Sequence, residues 1–248
     1  MDILTSICVS VNDEIVHGIP NKHRILKDGD IVSLDAGTIY KGYHSDAART
    51  WAVGNVSPEA QKLMDVTKQC FYEGIKFAKA GNHLNDISTA IQAYAEKFGY
   101  GVVRELVGHG IGTHLHEDPE VPNFATKRRG ILLQPGMTLA IEPMINAGTP
   151  DVIWMDDDWT VVTADHALSA HYENTILITE GEPEILSLRR ALNRRSSMEM
   201  TPGFLQDRLP EMTRIKSMSY RRTLEHTFLC LQKTAGSSGK IKKHVQII

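Results

Sequence analysis

Cysteine is scarce, with Cys8, Cys70 and Cys230 far apart in a chain of 248 residues. Three thiols so spaced make neither a disulfide framework nor a CxxC metal site, and the usage fits a reducing compartment. Long hydrophobic runs are missing too. No stretch approaches the roughly 18 apolar residues of a membrane span, and Asp2 comes early with no basic segment ahead of a short apolar one. No membrane partner and no secretory signal are legible, so the cytoplasm is the expected compartment. Several catalytic signatures are also absent: no GxSxG elbow, no GxxxxGK[ST] loop, no HExxH. The nearest approach to the last, His116-Glu117-Asp118-Pro119-Glu120, lacks the second histidine and carries a proline. Gly108-His109-Gly110-Ile111-Gly112 lacks the GxGxxG spacing and sets an imidazole where a backbone would have to approach a pyrophosphate, which excludes a nucleotide loop.

What is present divides in two. Hydrophobic residues at 42% and charged ones at 23% fit a globular protein. The net charge of −3 conceals an uneven distribution: residues 1–188 carry −12 and residues 189–248 carry +9. Residues 1–188 read as one α/β domain. Asp30 to Tyr40 and Tyr43 to Val53 are strand-like runs around Lys41-Gly42, a two-residue hairpin signal. Ser57-Pro58 caps a helix in which Leu63, Val66, Cys70, Gly74 and Phe77 recur at helical spacing up to Gly81, with Cys70 a core residue. A second helix spans about Asn85 to Phe98 and stops at Gly99. A strand over Val102 to Val107, a glycine-rich turn at His109 and a polar loop from Pro122 to Gly130 follow. Strand-like runs at Met137 to Ile145, Trp159 to Val162 and His171 to Thr179 complete the domain. Residues 189–248 contain only 13 Leu, Ile, Val or Phe among 60, too few for a core, and read as a disordered or non-native basic tail.

The chemistry lies in acidic residues set inside apolar strands. Asp35 lies in Ile31-Val32-Ser33-Leu34-Asp35, Glu142 in Leu139-Ala140-Ile141-Glu142-Pro143-Met144, and Glu173 just before Thr175-Ile176-Leu177-Ile178. A carboxylate buried in such a strand costs several kcal/mol unless it is paired or metal-bound. The hairpin makes this geometric. A two-residue turn at Lys41-Gly42 pairs Tyr40 with Tyr43, Thr38 with Ser45 and Gly37 with Asp46, so Asp35 and Asp46 share a face on a diagonal. Two like charges that close require a cation between them, and both read as metal ligands. Of the histidines, His109 between glycines is a ligand candidate, while His17 and His116 could reach a substrate. His114 competes with His116, since His114-Leu115-His116 could expose either ring. His23, His44, His83, His166, His226 and His244 are assigned to surface or packing.

These residues, read in order, resemble a known family. His17-Gly18-Ile19-Pro20, Asp35 and Asp46 eleven apart, the Gly108 to Gly112 run, His116-Glu117-Asp118-Pro119, Ile141-Glu142-Pro143 and His171-Tyr172-Glu173 are similar to the motif series of the type I methionine aminopeptidases, from about Ser6 to Ser187. The resemblance implies a pita-bread α/β fold with a curved, mostly antiparallel sheet. It implies two divalent ions, Co, Mn, Fe or Zn, held by Asp35, Asp46, His109, Glu142 and Glu173, one aspartate binding a single ion and the other bridging with Glu173. Glu142 would also shuttle protons, His116 would contact the peptide carbonyl, and His17 would hydrogen-bond near the scissile amide. Cys8, Leu115 and Trp159 would line the methionine pocket. The substrate would be a nascent chain with initiator methionine before a small second residue, and the enzyme a monomer. Only 31 residues separate Glu142 from Glu173, which leaves no room for the helical subdomain of the type II enzymes.

Three departures accompany the resemblance. Asn174 stands where many members have histidine. The chain reads as lacking the roughly sixty residues that ordinarily precede this point. Nothing in the family matches residues 189–248. A competing expectation follows from the last two: a truncated, weak or inactive member that acts as a binding module, its basic tail docking on ribosomal RNA.

Overall fold

A computed structural model of the chain describes residues 7–188. The expected basic tail, residues 189–248, lies outside the described residues. In chain order the elements are β1 (Cys8–Val11), β2 (Glu14–Val16), β3 (Ile31–Tyr40), β4 (Tyr43–Ala52), α1 (Pro58–Ile75), α2 (Leu84–Glu96), β5 (Gly101–Val102), β6 (Gly108–Gly110), β7 (Glu117–Val121), β8 (Thr138–Ile141), β9 (Met144–Asn146), β10 (Val152–Trp154), β11 (Val161–Thr163), β12 (Ser169–His171), β13 (Asn174–Leu177) and β14 (Glu184–Ile185). All named strand pairs are antiparallel. They form three-stranded sheets in the orders β1-β3-β4, β10-β11-β2 and β12-β9-β5, and a five-stranded sheet in the order β14-β13-β8-β6-β7.

The β3–β4 hairpin has the register that Lys41-Gly42 predicts: Tyr40 pairs with Tyr43, Thr38 with Ser45 and Gly37 with Asp46. Lys41 and Gly42 take φ of 53° and 82°, the positive pair a tight hairpin turn needs. The Ser57 side chain accepts from the Ala60 N–H at 3.1 Å and Pro58 opens α1, as its cap and proline signal. The helix buries Leu63, Val66, Cys70 and Phe71 against Ile87 and Ile91 of α2 and the inner faces of the strands. Gly74 allows the two helices to meet, for a Cβ there would sit 2.7 Å from Ile91 Cγ1.

Several expected boundaries differ, each for a local reason. The first helix ends at Ile75, not near Gly81, and Phe77 lies beyond it, 43% exposed, outside the core. Of Val102 to Val107 only the first residue is paired, and the anticipated turn at His109 is strand β6. Glycines make that strand possible: a Cβ at Gly108 would stand 2.4 Å from the Ala140 carbonyl oxygen, and one at Gly110 2.2 Å from that of Asp118. Met137 to Ile145 is two strands, broken at Glu142-Pro143, where proline brings no N–H to a ladder. His171 to Thr179 likewise splits at Tyr172-Glu173, and the Glu173 N–H turns to the Ala48 carbonyl at 3.0 Å. Strand β11 starts at Val161, after Trp159.

Candidate metal centre and active site

Sheet parity gathers three of the expected residues. His109 of β6 and Thr175 of β13 both pair with Ala140 of β8, so the three side chains form a row on one face. Glu142 lies two residues past Ala140 and Glu173 two before Thr175, so both project to that face just beyond the strand ends. Asp46 arrives from another sheet. Its N–H donates to Thr175 Oγ1 at 2.8 Å, and that hydroxyl donates back to the Asp46 carbonyl at 3.0 Å, clamping β4 to β13. Ligand atoms of Asp46, His109 and Glu173 all lie within 4.8 Å of one another, and all three residues are buried. The hairpin adds Asp35, with the charges of Asp46 and Glu142 both acting on its carboxyl. Glu142 Oε1 stands 3.7 Å from His109 Nε2.

The orientation of the His109 ring follows from one contact. Its Nδ1 lies 2.8 Å from the Gly110 carbonyl oxygen, which can only accept, so Nδ1 is a donor and Nε2 is the nitrogen turned to the cluster.

The carboxylates strain against one another as they stand. Burial, then the charges of Asp46 and Glu142, hold the Asp35 carboxyl well above its ordinary range. Burial, then Asp46, Asp35 and Glu142, does the same to Glu173. Burial pushes Glu142 up to about 8, with His109 opposing and Asp46 adding. Asp35 Oδ1 and Glu173 Oε1 are enclosed and have no hydrogen-bond partner. Four carboxylates and one imidazole nitrogen, with enclosed oxygens left unpaired, are a donor set that divalent cations fit.

Around this cluster stand the other expected residues. His116 meets His109 edge to face, ring centroids 4.3 Å apart, while His114 points to solvent beside Glu117, so of the two competing rings His116 is the one at the centre. His17 stacks on Trp159 with centroids at 5.0 Å. It occupies the left-handed region, φ 60°, in a turn pressed against β1, where a Cβ at Gly18 would lie 2.2 Å from the Val9 carbonyl oxygen. Burial lowers the pKa of both His17 and His116, helped by His171 and His109 respectively. Cys8 pairs across the ladder with Asp35, and burial pushes its thiol up to about 12. Leu115 Cδ1 would be 3.4 Å from a Cβ at Gly37, which places it over the hairpin opposite Asp46.

Three participants had no assigned role in the sequence reading. In the sequence Thr175 is one residue of an apolar strand. Arg49 donates to the carbonyls of Ala48 and Glu173 and to Asn174 Oδ1, tying the Glu173 backbone to β4. Asn174 therefore has a structural part, and it also accepts from Ser187 Oγ at 3.0 Å. His171, two residues before Glu173, is buried with its Nε2 3.5 Å from Glu142 Oε2. The signal for it was a histidine inside a run of buried strand residues.

A curved set of antiparallel strands backed by two helices, with a buried carboxylate-imidazole cluster on its inner face, defines a metal-dependent hydrolase. Residues 1–180 match the model of metallopeptidase family M24. The chain belongs to that family, and to its methionine aminopeptidase branch. It is 58% identical over 183 residues to the methionine aminopeptidase of Clostridium acetobutylicum, covering 74% of this chain and 73% of that one. It is 53% identical over 182 residues to methionine aminopeptidase 1 of Bacillus subtilis, covering 73% of each. Among solved structures it is similar to methionine aminopeptidase from Thermotoga maritima, with a TM-score of 0.72, 48% identity and 74% of each chain covered. The Pyrococcus furiosus prolidase, 22% identical with a TM-score of 0.61 over 75% of this chain and 50% of that one, shares the pita-bread fold.

Proposed function

We propose that this chain removes the initiator methionine from new polypeptides whose second residue is small, by hydrolysis at a centre for two divalent ions held by Asp35, Asp46, His109, Glu142 and Glu173. The observation that carries the proposal is the meeting of ligand atoms of Asp46, His109 and Glu173 within 4.8 Å, with Glu142 beside His109, Asp35 across the hairpin, and enclosed oxygens of Asp35 and Glu173 without a hydrogen-bond partner. Cobalt, manganese, iron and zinc all suit the donor set. Two such ions, when bound, lower the pKa of water, polarise the scissile carbonyl and hold the peptide amino group.

The chain's own residues supply the rest. Glu142 takes the proton of the attacking water and returns it to the departing amine. His116, beside His109, donates to the peptide carbonyl oxygen as negative charge develops there. His17, held against Trp159, hydrogen-bonds near the scissile amide. Cys8, Leu115 and Trp159 line an apolar pocket with a soft sulfur contact, which a thioether side chain favours. Residues 1–188 are the catalytic unit, acting as a monomer in the cytoplasm on emerging N-termini. No described helix is long and apolar enough to cross a membrane.

The test is release of free methionine from a Met-Gly peptide by manganese- or cobalt-loaded protein, beside Glu142→Ala and beside a Met-Leu peptide. The wild type is expected to cleave Met-Gly, and the variant to lose roughly 100- to 10,000-fold in rate. Equal rates in wild type and variant, with metal bound to both, would sink the reading. Equal cleavage of Met-Leu would remove its small-residue specificity.

A further inference from the structure

We propose that His171 is a positioning residue whose Nε2–H holds Glu142 Oε2, and so fixes which lone pairs of that carboxylate face the metal centre. The inference rests on the proposed ligand role of Glu142. Glu142 needs such a support. It lies past the end of β8 and before Pro143, and among the described residues only its backbone carbonyl is hydrogen-bonded, by Asn123 Nδ2 at 3.0 Å. Its carboxylate makes two longer contacts, both with imidazoles: His109 Nε2 at 3.7 Å from Oε1 and His171 Nε2 at 3.5 Å from Oε2. The first is committed as a lone pair by the ligand role proposed for His109, whose Nδ1 donates to the Gly110 carbonyl. His171 is left as the donor.

The placement of His171 is itself built. Its N–H donates to Thr50 Oγ1 at 2.8 Å, and the same hydroxyl donates to its carbonyl at 2.9 Å. It also pairs with Met144 in the β9–β12 ladder. The residue is 1% exposed, and neither ring nitrogen has a hydrogen-bond partner. A buried imidazole left unpaired costs free energy that an apolar side chain of similar size would not. A polar ring retained there, with one nitrogen a few tenths of an ångström beyond hydrogen-bond length from a carboxylate, suits a contact that tightens when the centre fills.

Metal affinity and ring tautomer test this, the first with the wild type, His171→Gln, His171→Leu and Glu142→Gln competing with a chelator for zinc. Removing an outer hydrogen-bond partner of a metal ligand ordinarily weakens binding by about 10- to 100-fold, and that loss is expected for His171→Leu, which cannot donate. His171→Gln keeps an N–H donor at similar reach and is expected to stay within about threefold of wild type. In 15N-histidine spectra of the zinc-loaded whole chain, the signal missing from His171→Gln should show a protonated Nε2 and a bare Nδ1. Zinc binding by His171→Leu at the wild-type level, glutamine as weak as leucine, or a bare Nε2 would each overturn the inference. The spectrum decides alone should His171→Leu not fold. Unchanged affinity in Glu142→Gln would instead remove the ligand role on which the proposal stands.

Discussion

Stripped of divalent ions, the folded chain should lose stability as pH rises above 6.5. Burial raises the Glu142 carboxyl from 4.5 to about 8, and raises Asp35 and Glu173 as well. An acid whose value is raised by folding holds its proton more tightly in the fold. Its contribution is present at low pH and is lost as pH climbs from the ordinary value toward the raised one. His171 works in the opposite sense. Burial lowers it from 6.5 to about 4, so its contribution grows across that window and is complete above 6.5. The two trends oppose below 6.5, and above it only the carboxyls still titrate. From pH 6.5 to 8, Glu142 alone accounts for a loss of about 2 kcal/mol, at about 1.4 kcal/mol per pH unit. For a domain of this size that is roughly 4–8 °C in melting temperature. Thermal melts in chelator at several pH values measure it, and manganese should raise the melting point most at pH 8, where it favours the ionised carboxylates. A melting temperature in chelator that is flat or rising from pH 6.5 to 8 would refute the reasoning.

Two further substitutions probe how the fold presents the site. Gly108→Ala puts a methyl group 2.4 Å from the Ala140 carbonyl oxygen, forcing β6 away from β8 and moving His109 with it. A stability loss of roughly 1–3 kcal/mol in urea unfolding is expected, together with weaker zinc binding. Thr175→Val keeps the shape but strands the Asp46 N–H and carbonyl that the hydroxyl serves. It should cost about 1–3 kcal/mol by the same measurement, with metal affinity falling because Asp46 is no longer clamped.

Legibility in the sequence followed the range of the physics involved. The hairpin was readable because a two-residue turn and a period of two suffice to set Gly37 across from Asp46. α1 was readable from Ser57-Pro58 and its apolar spacing. β6 was not, because glycines signal a turn locally and become a strand only when two neighbouring backbones press close enough to need them. The role of Thr175 was hidden for a similar reason: a threonine in an apolar strand looks like packing until a segment 129 residues away supplies its partners. Arg49 and His171 were invisible as participants, since their contacts with Glu173 and Glu142 cross between separate sheets.

The sequence by itself determined the ingredients. Carboxylates set in apolar runs at Asp35, Glu142 and Glu173 demanded compensation, His109 was freed by its glycines, and the motif order pointed to a metal-dependent aminopeptidase. Only the tertiary structure decided which atoms meet. A strand specifies a face but not a distance, and the clamp of Thr175 on Asp46, the orientation of His109 and the approach of His171 to Glu142 exist only once four sheets have packed around one buried cluster of charge.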